Sequence, residues 1–400
     1  MKHFFIFDPQ LLFYGFAIIF FASYGQTFFI SIFNTEIRAL YNLTDGEFGL
    51  IYAIGTLLSS FCLIGFAKLI DHIDLRLYSF IISVGLAVAC LGIYISYNSI
   101  IFLIIIIFSL RFFGQGAMSH AGETTMARYF DKNRGKALSV STLGGMIGVM
   151  VLPIVVVKLT FLVGWKHVWL ISSLSIFVFF IPLLFLTLQN QSIRHANFSK
   201  FNNNFSDNKR LRTKDILLDK KFYIYLPISI AFPFIGTGLT FHQIYIINQK
   251  AWSLDILAQG FIFLGIFSII SLILGGPIVD KYNTKKVVLF TLAPLFVAIL
   301  ILIFFNNYYF MFLYMSLLGI ALGIGTPFIG SLWAELYGLE SLGTVKALVH
   351  ASGVFFSALS PVIFGYMIDF GLGIFSLCIM SLFIILISTF LPIIYKKVDE

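Results

Sequence analysis

Charge is what this 400-residue chain has least of. Asp, Glu, Lys and Arg make up 11% of it and hydrophobic residues 59%, whereas soluble domains carry about 25% charged residues. A soluble globular domain is thereby excluded, and the chain reads as an integral membrane protein. Cysteine is scarce: Cys62, Cys90 and Cys378 all fall in apolar stretches, which implies neither a disulfide framework nor a metal site. The chain contains no Gly-x-x-x-x-Gly-Lys-[Ser/Thr] loop and no His-Glu-x-x-His run, so direct nucleotide drive and zinc hydrolysis are not indicated. Paired intramembrane aspartates are missing too. No enzyme activity, cofactor or metal is expected.

What the chain does have is length of apolar run. A spanning helix needs roughly 20 predominantly apolar residues, and twelve such stretches can be counted between residues 11–33 and 373–395. The expected class is all-α, with twelve transmembrane helices. The first stretch resembles a signal peptide, but Asp8 and Pro9 interrupt its start and no small-residue cleavage site comes after it, so it reads as a retained first span. With the N-terminus inside, all but five of the 26 Lys and Arg face the cytoplasm. Arg38, Lys158, Lys166 and Lys250 fall outside, and Arg111 lies within the membrane. The positive-inside bias therefore places both termini in the cytoplasm, in the inner membrane of a bacterium. The net charge of +8 is an orientation signal and not a nucleic-acid surface. The expected partners are the lipid bilayer, a small solute and coupling protons, with the protein acting as a monomer.

Between spans six and seven lies "QNQSIRHANFSKFNNNFSDNKRLRTKDILLDKK", a polar, Asn-rich and basic connector with a short helix expected around Thr213–Asp219. It divides the chain into a first bundle (1–187), a linker (188–221) and a second bundle (222–400). The halves repeat at an offset of 207 to 209 residues. Asp71 aligns with Asp280, Gly116 with Gly323, Ala127 with Ala334, Gly145 with Gly353, and Pro153 with Pro361. An offset held across four helices indicates a duplicated unit. Parallel repeats of this kind are one architecture of secondary transporters.

"GGPIVDKYNTKK" (275–286) resembles the loop motif of the major facilitator superfamily, Gly-x-x-x-Asp-Arg/Lys-x-Gly-x-Arg/Lys-Arg/Lys. Gly276, Asp280, Lys281, Lys285 and Lys286 match. Asn283 replaces the second Gly, and Asn tolerates the left-handed backbone that Gly supplies. The copy in the first half, "AKLIDHIDLR", keeps Asp71 and Arg76 but has Ala67 and Asp74 at the glycine positions. The resemblance implies two pseudo-symmetric six-helix bundles and a gating role for Asp71, Arg76, Gly276, Asp280, Lys281 and Lys285. Span seven followed by "WSLDILAQGF" is also similar to bacterial monocarboxylate-porter-like members. Those carry an arginine in span eight, and "FIFLGIFSIISLIL" has none.

Span four (99–127) holds the intramembrane arginine. At 100° per residue, Arg111, Gln115, Ser119 and Gly122 share an arc of about 80°. Arginine at the bilayer centre costs about 2.5–3.5 kcal/mol on insertion scales, so the stripe must face protein or water. "RFFGQGAM" resembles the superfamily's fourth-helix motif, an Arg followed by Gln-Gly, with one extra residue before Gln115. The candidate solute-binding set is Arg111, Gln115, Gln26, Tyr24, His242 and Gln243, with Gln26 the expected cross-helix contact of Arg111. The other reading of Arg111 is a structural one, bonded only to protein. Among the carboxylates only Glu123 lies well inside a span, and with His120 it forms either a candidate proton relay or a packing contact. Gly319, Gly323 and Gly325 in span ten read as close-packing residues.

The function these features imply is secondary active transport of a small solute by alternating access. The arginine points to an organic anion or carboxylate, because guanidinium pairs with carboxylate as a bidentate fork. An exporter of hydrophobic compounds or drugs is the rival, supported by the 18% aromatic content. A membrane-embedded sensor or enzyme is a third reading.

Overall fold

A computed structural model describes residues 8–96, 98–130, 133–194, 213–282 and 284–399. The regular structure among them is helical. Ten helices are long and apolar enough to cross a membrane. They are Asp45–Asp71, Leu75–Ile95, Ile100–Tyr129, Arg134–Val163 and Trp165–Thr187 (spans two to six), and Lys220–Phe241, Leu254–Lys281, Tyr309–Gly338, Ser341–Asp369 and Ile374–Tyr395 (spans seven, eight, ten, eleven and twelve). Span one is a bent pair, Pro9–Gly25 and Thr27–Tyr41, and span nine is a shorter apolar helix, Val288–Phe304. Each of the twelve apolar stretches thus has a helical counterpart. The connector contributes a short helix, Thr213–Leu217; residues 195–212 of it lie outside the described residues.

Local chemistry sets the ends of these helices. Asp8 accepts a hydrogen bond from the Leu11 amide with Pro9 in the first turn, satisfying one orphan donor where proline has none to lose. Asp74, Ser99, Asp219 and Ser253 cap spans three, four, seven and eight in the same way. Thr44 and Glu47 exchange backbone amides for side-chain oxygens at the start of span two, a capping box. Span ten gives way to span eleven at Gly338, whose φ of 75° is open to glycine at no steric cost.

Contacts group the chain into two compact units, residues 1–42 with 51–206, and residues 43–50 with 207–400. The first turns of span two therefore pack within the second unit. There the Asp369 carboxylate accepts from the amides of Asp45 (3.0 Å) and Gly46 (2.8 Å). A Cβ on Gly365 would lie 2.5 Å from the Asp45 carbonyl, so helix backbones touch at this point. Spans eight and ten meet the same way: a Cβ on Gly319 would fall on the Leu264 carbonyl, and one on Gly323 on Ser271. These two glycines pack as the sequence implies. Gly325 does not, since a Cβ there would meet nothing within 4 Å.

In the first unit, span one is the irregular element. After Ala22 it tightens into a 3-10 turn at Ser23–Gly25, becomes extended at Gln26 (φ −83°, ψ 154°) and restarts at Thr27, with a bend of 43°. Both neighbours are irregular at the same level. Span four is π-helical over Leu110–Met118 and span six over Ile176–Phe180, and such bulges concentrate at functional sites. The Tyr24 hydroxyl bonds Ser175 at 2.9 Å, and Gly25 packs directly on span four, where its Cβ would fall on the Leu110 carbonyl and 2.8 Å from Gly114 Cα. An aromatic cluster of Phe29, Phe33 and Trp169 holds the restarted segment.

Replacing Gly25 by alanine forces two backbones apart, and overpacking of this kind costs about 1–3 kcal/mol. Gly25→Ala is expected to lower the melting temperature in detergent. Gly65→Ala, where a Cβ meets nothing within 4 Å, is expected to leave it unchanged or raise it. Equal melting of the two variants would mean the close approach contributes nothing.

Candidate functional site

The break in span one creates the site. Arg111 is 2% exposed and reaches the break from the π-helical turn of span four. Its Nη1 donates to the Gly25 carbonyl at 3.1 Å and to Thr27 Oγ1 at 3.4 Å, and its Nε donates to Thr56 Oγ1 in span two at 3.2 Å. The guanidinium also lies 5.0 Å from the ring centroid of Tyr52, whose hydroxyl bonds Thr27 at 2.6 Å. Every partner is neutral. Nη2 makes no hydrogen bond among the described residues.

Tyr52 and Thr56 escaped the sequence reading, although they stand one turn apart on span two; Thr27 belongs to the polar cluster of Tyr24, Gln26 and Thr27 that the sequence offers for the same cavity. Gln26, the expected partner of Arg111, is bypassed: its two neighbours, Gly25 and Thr27, make the contacts and Gln26 stays half-buried. Gln115 and Ser119 are half-buried, while Gly122 packs on Ile18 and Ile19. A straight-helix projection cannot carry across a π turn, because one added residue per turn rotates every residue beyond it. Tyr24 is turned to Ser175 of span six and away from Arg111.

The other candidates separate into distinct places. His120 Nε2 lies 3.2 Å from Thr124 Oγ1, and Glu123 is exposed, with no hydrogen bond between His120 and Glu123 among the described residues. His242 is 1% exposed; its Nε2 lies 3.0 Å from the Pro361 carbonyl and its Nδ1 3.5 Å from Asp45 Oδ1. Gln243 is buried and lines a small internal cavity with Met311, Tyr314 and Met315. Lys346 lies within span eleven, four residues before His350.

The two copies of the loop motif differ. Asp71 pairs with Arg128 at the end of span four, and Arg128 also donates to the Ile70 carbonyl. Arg76 turns to Asp74 at 3.0 Å and Ser192 at 3.2 Å. The Arg76 side chain holds the Asp74 carboxyl below its usual value. In the second copy Asp280 and Lys281 are exposed, Lys281 lies over the Tyr282 ring at 5.4 Å, and a Cβ on Gly276 would meet nothing within 4 Å. The Lys285 side chain and Asn283 lie outside the described residues.

The sequence profile of the Major Facilitator Superfamily matches residues 15–274 and 244–400. The chain belongs to this superfamily. Two solved structures of a bacterial homolog to the human lysosomal transporter Spinster resemble it. The inward-facing, unoccupied form has a TM-score of 0.67 at 15% identity and covers 96% of this chain and 94% of its own. The inward-facing, occupied form has a TM-score of 0.68 at 14% identity and covers 97% of both. At that identity the likeness shows the fold. No curated protein sequence matches the chain. Membership makes the protein a multi-pass membrane transporter and not an enzyme. Within this superfamily member the loop around Asp71 is tied to Arg128.

An ion pair with one exposed partner contributes about 0.2–1 kcal/mol. Asp71→Asn and Arg128→Gln are expected to lower thermal stability by similar small amounts, and the double variant by no more than the larger of the two. Additive losses in the double-mutant cycle would show that the contact carries no coupling.

Proposed function

We propose that this superfamily member is a secondary active transporter of a small organic anion, with Arg111 supplying the charge that attracts it. The observation carrying this reading is the guanidinium at the break of span one, surrounded by neutral partners and with Nη2 unpartnered. A buried cation without a carboxylate is expensive, and a transiently bound anion would offset that cost. Discontinuous spans with unwound carbonyls are where secondary transporters hold solutes and ions. The neutral donors and acceptors fix the guanidinium's orientation, so its fork is preorganised for a carboxylate.

The gating part of this reading assigns Asp71, Arg76, Gly276, Asp280, Lys281 and Lys285 to the motif loops that make and break contacts during alternating access. Both termini are placed in the cytoplasm by the positive-inside bias. Solute uptake into proteoliposomes, with labelled organic acids and neutral analogues, tests the function. Arg111→Lys is expected to weaken anion binding, because an ammonium cannot reproduce the planar fork. Arg111→Gln should abolish anion uptake while inserting normally, since removing the charge lowers the insertion cost. Unchanged anion uptake by both variants would reject the role, and loss of folded protein in both would make Arg111 structural.

A further inference from the structure

Span eleven carries two basic side chains that the Arg111 site does not use. Lys346 and His350 stand one turn apart in the first third of Ser341–Asp369, and both are exposed. Neither has a hydrogen bond or ion pair among the described residues. Exposure inside a membrane span means either lipid or water, and the helix itself discriminates. At 100° per residue His350 lies about 40° and Pro361 about 60° from Lys346, on one arc. At Pro361 that arc is packed against protein: its carbonyl meets His242, and a Cβ on Gly49 would fall on it. The arc is therefore an inward one that opens where the two basic groups stand.

The partner helix supports the same conclusion. Gly338 is the turn between spans ten and eleven, and residues equally distant from it face each other across the hairpin. Gly330 then opposes Lys346, and Thr326 opposes His350. The first pairing is visible directly, since a Cβ on Gly330 would lie 3.9 Å from Lys346 Nζ and meet nothing else within 4 Å. Thr326 is exposed, and a Cβ on the adjacent Gly325 would meet open space. Small residues of span ten thus stand beside the two cationic or hydrogen-donating groups of span eleven, with Lys346 Nζ alone near Gly330 and open space at Gly325. Two basic groups at i and i+4 destabilise a helix whenever both are charged. An anion between them would reverse that sign and recruit both as charge-assisted donors.

We propose that the cleft between spans ten and eleven binds an anionic group, a carboxylate or a phosphate, through Lys346 and His350, with the Thr326 hydroxyl as a further donor. Only the claim that this group belongs to the transported solute rests on the anionic-solute reading; the binding itself stands apart from it. A lipid headgroup phosphate presents the same chemistry, and the membrane composition separates the two sources.

The test uses the full-length protein in nanodiscs of zwitterionic lipid, titrated with acetate, inorganic phosphate and acetamide, with ligand-dependent thermal stabilisation as the readout. Acetate or phosphate should stabilise the wild type and acetamide should not. Losing one charge-assisted hydrogen bond should raise Kd about ten- to a hundredfold in Lys346→Gln, whereas Lys346→Arg keeps the charge and most of the affinity. Gly330→Leu leaves both basic groups in place and fills the cleft, so it should block binding as well. Wild-type affinity in both Lys346→Gln and Gly330→Leu, or no anion binding by the wild type, overturns the site. Binding that responds only to anionic lipid in the disc overturns the soluble ligand. Anion binding lost in Lys346→Gln but kept in Arg111→Gln supports the cleft as a site separate from Arg111, whose role the uptake assay reads; binding kept in Lys346→Gln but lost in Arg111→Gln overturns the cleft.

Discussion

The hydrogen bond from Arg111 to the Gly25 carbonyl is the contact on which the first unit is organised. In hydrocarbon every backbone polar group must find a partner inside the protein, so a helix can break there only if something replaces its lost bonds. Span one breaks at Gln26, and a guanidinium from the neighbouring span meets the break. The same arrangement answers the arginine's own problem, because a buried cation needs oriented oxygens. Each defect is tolerated because the other is present.

That pairing constrains what surrounds it. Gly25 and Gly114 must lack side chains for spans one and four to approach closely enough. Span four accommodates the contact by running as a π-helix from Leu110 to Met118, which turns the arginine toward span two as well. Tyr52 and Thr56 on that span then complete the cage. The second unit has no counterpart to this constellation, since Leu318 occupies the position that aligns with Arg111. The two halves thus differ at the position of the buried arginine. Span eleven of the second unit carries Lys346 and His350, where the repeat aligns Leu138 and Thr142 in the first.

The two motif loops show the same divergence. Asp71 is tied to Arg128, while Asp280 stands exposed. By sequence the second copy is the better match to the superfamily pattern, yet the first makes the ion pair. Motif quality reports descent, and the ion pair depends on what span four presents at its end.

Composition and periodicity were enough to determine the membrane class, the number of spans, the duplication and the presence of a costly arginine in span four. These rest on one physical fact: apolar length and charge cost are properties of a segment in lipid, legible without knowing its neighbours. The partners of Arg111 were not legible, nor were the π turns or the burial of His242 against Asp45 and Pro361. The sequence reading expected Gln26 beside Arg111 and said nothing of what Lys346 faces. The backbone break moved the contact to Gly25 and Thr27, and the hairpin about Gly338 set Lys346 opposite Gly330. Those placements depend on which helices touch and at what height, and only tertiary packing decides that.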